Sequence, residues 1–146
     1  MDNKMEEKYY INWDDFHKHT KHLAKELGNK GNFNRIIAIS RGGLIPAGIL
    51  AYEMNIRNCD TINISSYDNN VKRKDADVVQ DIVLSDIDEH TLFVDDLTDS
   101  GRTLKIVRQQ YPMAHFACVY VKPNSTILPD SLSVKLPNQW IVFPWD

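Results

Sequence analysis

Leu92-Phe93-Val94-Asp95-Asp96-Leu97-Thr98-Asp99-Ser100-Gly101-Arg102-Thr103 is the stretch that decides how this chain is read. Residues 91–94 are an apolar run with the bulk of a buried parallel strand, and the run stops at two adjacent carboxylates, Asp95 and Asp96, where a loop is expected to begin. Thr98, Asp99, Ser100, Gly101 and Thr103 are small and rich in hydroxyls, after which Leu104, Val107 and Tyr111 resume helical spacing. The order is strand, small-residue loop, helix start. Backbone amides of such a loop, backed by the positive end of a helix dipole, favour a phosphate, while two carboxylates just upstream suit sugar hydroxyls or a magnesium ion. A phosphate seat beside a diol seat describes a phosphorylated ribose.

Other readings of the stretch fit less well. Asp96, Asp99 and Gly101 miss the spacing of an EF-hand, and Ile106 stands where its bidentate Glu would follow Asp95. The chain contains neither a Walker A sequence nor Gly-x-Gly-x-x-Gly. A purely structural turn needs one or two polar residues, whereas this one carries Asp95, Asp96 and Asp99 with the hydroxyls of Thr98, Ser100 and Thr103. Residues 94–103 resemble the phosphoribosyl-pyrophosphate loop of the type I phosphoribosyltransferases, which runs from an apolar strand through two acids to Asp-Ser/Thr-Gly-x-Thr.

Composition agrees with one soluble domain: 146 residues, 42% hydrophobic, with a formal net charge of −3 that argues against a general nucleic-acid binder. Cys59 and Cys118 both lie beside apolar runs and read as buried free thiols of a reducing cytosol. No apolar run approaches the twenty or so residues that cross a bilayer, so a cytoplasmic protein without an integral membrane segment is expected.

Residues 1–10 are charged and unpatterned and read as a flexible lead-in. Asn12 is a good N-cap for a helix carrying Trp13, Phe16, Leu23, Ala24 and Leu27 on one face and ending at Gly28. His17, His19 and His22 lie on this helix, and a solvated face describes them better than a metal site. Residues 36–39 form a second buried-strand candidate running into Ser40, Arg41, Gly42 and Gly43, with a helix behind that tolerates Pro46 in its first turn. Two glycines let backbone approach an anion, and Arg41 offers a fork for pyrophosphate. Both loops would open at the same edge of a parallel sheet, where ligands bind in such folds.

Residues 61–65 alternate like a strand, and residues 67–77 are polar and carry Lys72, Arg73 and Lys74, with a return strand over 78–84. Residues 116–121 are another buried strand, ending in Lys122 and Pro123. Lys122 only donates hydrogen bonds, so at the ligand edge it would accept a 6-oxo group and repel a 6-amino group. In the tail, Trp140 offers a flat wall for a purine, the Ile141 carbonyl can read position 2 of the ring, and Trp145 reads as core closure.

From Asn12 to the end, the chain resembles the bacterial xanthine-guanine phosphoribosyltransferases, through Ser40-Arg41-Gly42-Gly43-Leu44, Ile64-Ser65-Ser66-Tyr67-Asp68, the Asp95 loop, Tyr111-Pro112, Ala114-His115-Phe116, Lys122-Pro123, Trp140-Ile141 and Pro144-Trp145-Asp146. The resemblance implies an α/β, type I phosphoribosyltransferase fold: a core parallel sheet flanked by helices, a lid loop and hairpin over 67–84, and a hood including 137–146. It implies a non-proline cis peptide at Arg41–Gly42, and a homo-oligomer, dimer or tetramer.

The implied reaction transfers 5-phosphoribose from phosphoribosyl pyrophosphate to N9 of a 6-oxopurine, with Mg2+ as cofactor. Asp95, Asp96 and Asp99 are the expected catalytic residues, with Asp96 the direct metal contact and Asp99 the acid or base at N7. Ser100, Gly101, Arg102 and Thr103 would cradle the 5-phosphate, Arg41, Gly42 and Arg73 the pyrophosphate, and Lys122, Trp140 and Ile141 the base. Arg102 departs from the glycine more usual at its position and is a candidate phosphate or subunit contact. A different base is one alternative, and Lys122 with Trp140 speaks for 6-oxopurines without ranking xanthine, guanine and hypoxanthine. A nucleotide-sensing regulator on the same fold is another, yet it should carry an extra DNA-binding domain or a dense basic face.

Overall fold

The elements run β1 (Lys8–Tyr10), α1 (Trp13–Gly28), β2 (Arg35–Ser40), α2 (Leu44–Glu53), β3 (Cys59–Ser65), β4 (Val78–Val79), β5 (Thr91–Thr98), α3 (Arg102–Gln110), β6 (His115–Val121), β7 (Ser131–Lys135) and β8 (Trp140–Val142) in a computed structural model that describes residues 7–65, 78–79 and 84–146. Ile36, Ile37, Leu92, Phe93 and Val94 are wholly buried, as strands covered on both faces require. They lie on β2 and β5, the middle pair of a six-stranded sheet of order β4-β3-β2-β5-β6-β7. All neighbours pair in parallel except β4, which runs antiparallel to β3 at the edge.

Alternation along the strands divides the core in two. Ile36, Ala38, Leu92 and Val94 join Phe16, Leu23 and Leu27 of α1 and Ala47 and Leu50 of α2, while Ile37, Ile39, Phe93 and Phe116 join Leu104 and Val107 of α3 and Tyr111. On the α3 side Phe93 stacks between Tyr111 and Phe116, with ring centroids 5.4 and 5.2 Å away. Helix α1 begins as expected: the Asn12 side chain accepts a 2.7 Å hydrogen bond from the Asp15 amide.

Several expectations are corrected. Strand β5 does not stop at the carboxylates: Asp95 pairs with Cys118, Leu97 with Tyr120 and Thr98 with Val121, because β6 supplies ladder partners along that whole length. Lys8–Tyr10 is not a loose lead-in but a strand, paired in parallel with β8 in a separate two-stranded sheet. The sequence reading missed β7, whose edge position leaves it half-buried with polar residues interleaved. His19 is not on a solvated face: its Nδ1 lies 2.8 Å from the Tyr120 hydroxyl. Cys118 is buried as expected, whereas Cys59 is exposed. The non-proline cis peptide found among the described residues joins Ser40 to Arg41, one bond before the expected place. The lid stretch, including Arg73, lies outside the described residues apart from β4 and Leu84.

Candidate active site

The chain moves from β2 through α2 to β3 on one side of the sheet and from β5 through α3 to β6 on the other. The strand order therefore reverses between β2 and β5, and their carboxyl ends open the crevice where open α/β sheets bind ligands. The β2 loop turns tightly there, with the Gly43 amide donating to Ile39 O at 2.8 Å and the Leu44 amide to Arg41 O at 3.0 Å. A Cβ on Gly43 would collide with the Val94 carbonyl oxygen, and one on Gly42 would lie 2.5 Å from Asp96 Oδ1. At Gly43 only a residue without a side chain lets the loop press against the backbone of β5 at Val94. That contact puts Gly42 against the Asp96 carboxylate, and Arg41, beside it in the chain, is exposed.

Past β5, Asp99 and Ser100 lead to Gly101, which starts α3 from the left-handed region at φ 95°. Asp95, Thr98, Asp99, Ser100, Gly101, Arg102 and Thr103 line a pocket of about 280 Å³ whose apolar wall includes Ile39, Phe93, Leu104 and Phe116. The Arg102 amide donates to Ser100 Oγ at 3.3 Å, folding the loop onto the helix start.

Burial, and then the neighbouring Asp96 charge, pushes the Asp95 carboxyl well above the usual carboxylate range. Burial also raises Asp96, with Asp146 adding to the effect and hydrogen bonds, including those to Asp95 and the Leu97 amide, opposing it. Two adjacent carboxylates that resist ionisation together are a donor set that a hard divalent cation would stabilise. Among the described residues no group of three or more His, Cys, Asp or Glu side chains forms a metal cage, so such a cation would draw its remaining ligands from water and substrate oxygens, as magnesium commonly does.

Lys122 follows β6 and is 4% exposed. Its amide donates to Thr98 O at 3.0 Å, and its Nζ stands 3.7 Å from Asp99 Oδ1. The fold thus joins Lys122 to the Asp95–Thr103 stretch, which the sequence could only suggest. Trp140 and Ile141 do not line this pocket; they lie on β8, Trp140 being 59% exposed and Ile141 buried. Trp145 closes the core as expected, stacked 4.7 Å from Phe143 and edge-on to Phe16 at 5.0 Å. Sequence reasoning missed Asn124, whose Nδ2 donates to Asp99 Oδ1 at 3.1 Å, and Thr126, whose amide donates to Ser100 O at 3.1 Å. The available signal was the Asn124-Ser125-Thr126 cluster of turn formers directly after a strand that ends at the ligand edge.

Comparison with known proteins agrees with this geometry. Residues 10–146 match the family model of the phosphoribosyl transferase domain. A xanthine-guanine phosphoribosyltransferase of Desulfotalea psychrophila is 44% identical over 148 residues, spanning 100% of this chain and 91% of the relative. One of Idiomarina loihiensis is 40% identical over 139 residues, spanning 94% and 86%. The solved purine phosphoribosyltransferase of Pyrococcus horikoshii superposes with a TM-score of 0.81 at 29% identity, covering 95% of this chain and 93% of that one. The two loops that meet where the sheet reverses, and a likeness that runs the length of the chain, lead to one conclusion: this chain belongs to the phosphoribosyltransferase family.

Proposed function

We propose that the protein transfers 5-phosphoribose from phosphoribosyl pyrophosphate to N9 of a 6-oxopurine, releasing pyrophosphate, with guanine and xanthine as the first candidate bases. The observation that carries this reading is the 3.7 Å approach of the buried Lys122 ammonium to the Asp99 carboxylate beside the pocket. O6 and N7 of a 6-oxopurine lie side by side on one edge of the ring. A donor-only cation beside a carboxylate matches that edge, Lys122 at O6 and Asp99 at N7, and the same ammonium rejects the amino group of adenine.

Asp99 then takes the proton that the base must lose as N9 bonds to C1 of the ribose. Ser100, Gly101, Arg102 and Thr103 hold the 5-phosphate on loop amides and the start of α3. Arg41, Gly42 and Arg73 meet the pyrophosphate, Trp140 stacks on the base and the Ile141 carbonyl reads its position 2. Asp95 and Asp96 would hold the ribose hydroxyls and a Mg2+ ion, with Asp96 as the direct metal contact, and such an ion would supply charge neutralisation for the leaving pyrophosphate. The remaining catalysis is positioning and electrostatics, the usual means with phosphate-rich substrates.

The test is nucleotide formation from phosphoribosyl pyrophosphate and magnesium with xanthine, guanine, hypoxanthine and adenine in parallel, wild type against Asp99→Asn. Turnover of oxo bases but not adenine is expected, with kcat of the variant reduced about 10²–10⁴-fold and substrate binding kept. Absence of turnover with every base, or preference for adenine, would overturn the reading.

A further inference from the structure

Two loops meet at the mouth of the site, and the one that leaves β6 fastens the one that leaves β5. Besides the Lys122 amide on Thr98 O, the Thr126 amide and hydroxyl both donate to Ser100 O, at 3.1 and 3.3 Å. Gly101 lies directly beneath, where a Cβ would collide with Ile127 and come 3.0 Å from Ser125 Oγ. The Ser125 amide donates back to Lys122 O at 3.2 Å, closing the turn. Asn124 is thus held on both sides by residues that are themselves bonded to the β5 loop. Its Nδ2 is 3.1 Å from Asp99 Oδ1, the same oxygen that Lys122 Nζ faces at 3.7 Å.

We propose that Asn124 is a positioning residue that fixes the orientation of the Asp99 carboxylate, leaving Oδ2 to meet the purine. This rests on the reading of Asp99 as the group that takes the base's proton. Asp99 is exposed on a loop and would otherwise rotate freely about its side-chain bonds. Lys122 supplies charge, but an ammonium on a flexible stem attracts from any direction; a planar amide hydrogen bond sets a direction. Being neutral, the amide also does so without adding a second positive charge beside Lys122. Among the described residues, both polar side-chain contacts of Asp99 fall on Oδ1.

The experiment compares Asn124→Ala and Asn124→Asp, alone and combined with Asp99→Asn, reading kcat, KM for each substrate and thermal stability. With Asn124→Ala, kcat is expected to fall about tenfold, a share of what proton transfer supplies, while KM for phosphoribosyl pyrophosphate stays within about twofold. Asn124→Asp keeps the shape but turns the donor into a like-charged acceptor, so its loss should exceed that of Asn124→Ala. In the Asp99→Asn background neither change should lower kcat further, because the residue acts only through that carboxylate. Stability should be unchanged, as for other exposed positions. An unaltered kcat in Asn124→Ala, a rise in KM for phosphoribosyl pyrophosphate in its place, or an equal loss with and without Asp99 would each overturn the inference while wild-type turnover leaves the proposed reaction standing. Absence of wild-type turnover with any base would remove both.

Discussion

Gly42 and Gly43 show how much a single methyl group decides at this site. In Gly43→Ala the new Cβ meets the carbonyl of Val94, backbone of a central strand that cannot step aside, so a loss of about 1–3 kcal/mol in stability is expected, measured by urea unfolding. In Gly42→Ala it meets the Asp96 carboxylate, a side chain that can rotate away, so the variant should fold. Its defect should appear as a raised magnesium requirement and a higher KM for phosphoribosyl pyrophosphate. Equal melting of both variants would contradict the distinction. The glycine pair was legible in the sequence as a place of close approach, because few residue types permit one. What it approaches was not, since Val94 and Asp96 are far along the chain. Asn124 could be read as part of a turn, but its tie to Asp99, on another loop, was illegible for the same reason.

At the scale of elements, β8 depends on a segment that sequence reading dismisses. The Trp140 amide donates to Glu7 O at 3.1 Å, the Ile11 amide to Val142 O at 2.9 Å, and Tyr9 lies opposite Ile141. Removing residues 1–10 deletes that partner strand, and a short unpaired strand does not hold its shape. KM for the purine is expected to rise severalfold while KM for phosphoribosyl pyrophosphate is kept, measured by steady-state kinetics with each substrate varied in turn. Equal kinetics would detach β1 from base binding. Strand β1 carries no signal of its own, because Lys8, Tyr9 and Tyr10 are all exposed and only the parallel pairing with β8 makes them a strand. The longer course of β5 has a similar cause: two aspartates read as a stop by composition, yet β6 continues beside them and the ladder goes on.

Across the whole molecule, two histidines link stability to pH. His19, bonded to Tyr120, and His115, whose Nε2 lies 2.8 Å from Ser131 Oγ, are both lowered from the ordinary 6.5, chiefly by burial, with Asp15 and Asp130 respectively opposing. The unfolded chain takes up these protons as pH falls through 6.5 while the folded chain resists, so their stabilisation is complete above that value and is lost as pH falls toward the lowered folded values. Tm should therefore decline between pH 7.5 and about 5.5 more steeply in wild type than in His19→Gln/His115→Gln, as calorimetry would show. Asp95 and Asp96, whose raised values act in the opposite sense, are common to both proteins and cancel in the comparison. Parallel slopes would exclude the histidines. Taken as a string, the chain already determined its α/β class, the places of the β2 and β5 loops, the Asn12 cap of α1 and the apolar faces of α1 and α3. Those features are local, set by period, turn chemistry and close approach within a few residues. Only the tertiary structure decided that Lys122 stands beside Asp99, that Asn124 holds the same oxygen, that Gly42 lies on Asp96 and that the two ends of the chain pair as β1 and β8. Each of these joins residues from different elements, and such pairings follow from sheet order and register, which no local pattern encodes.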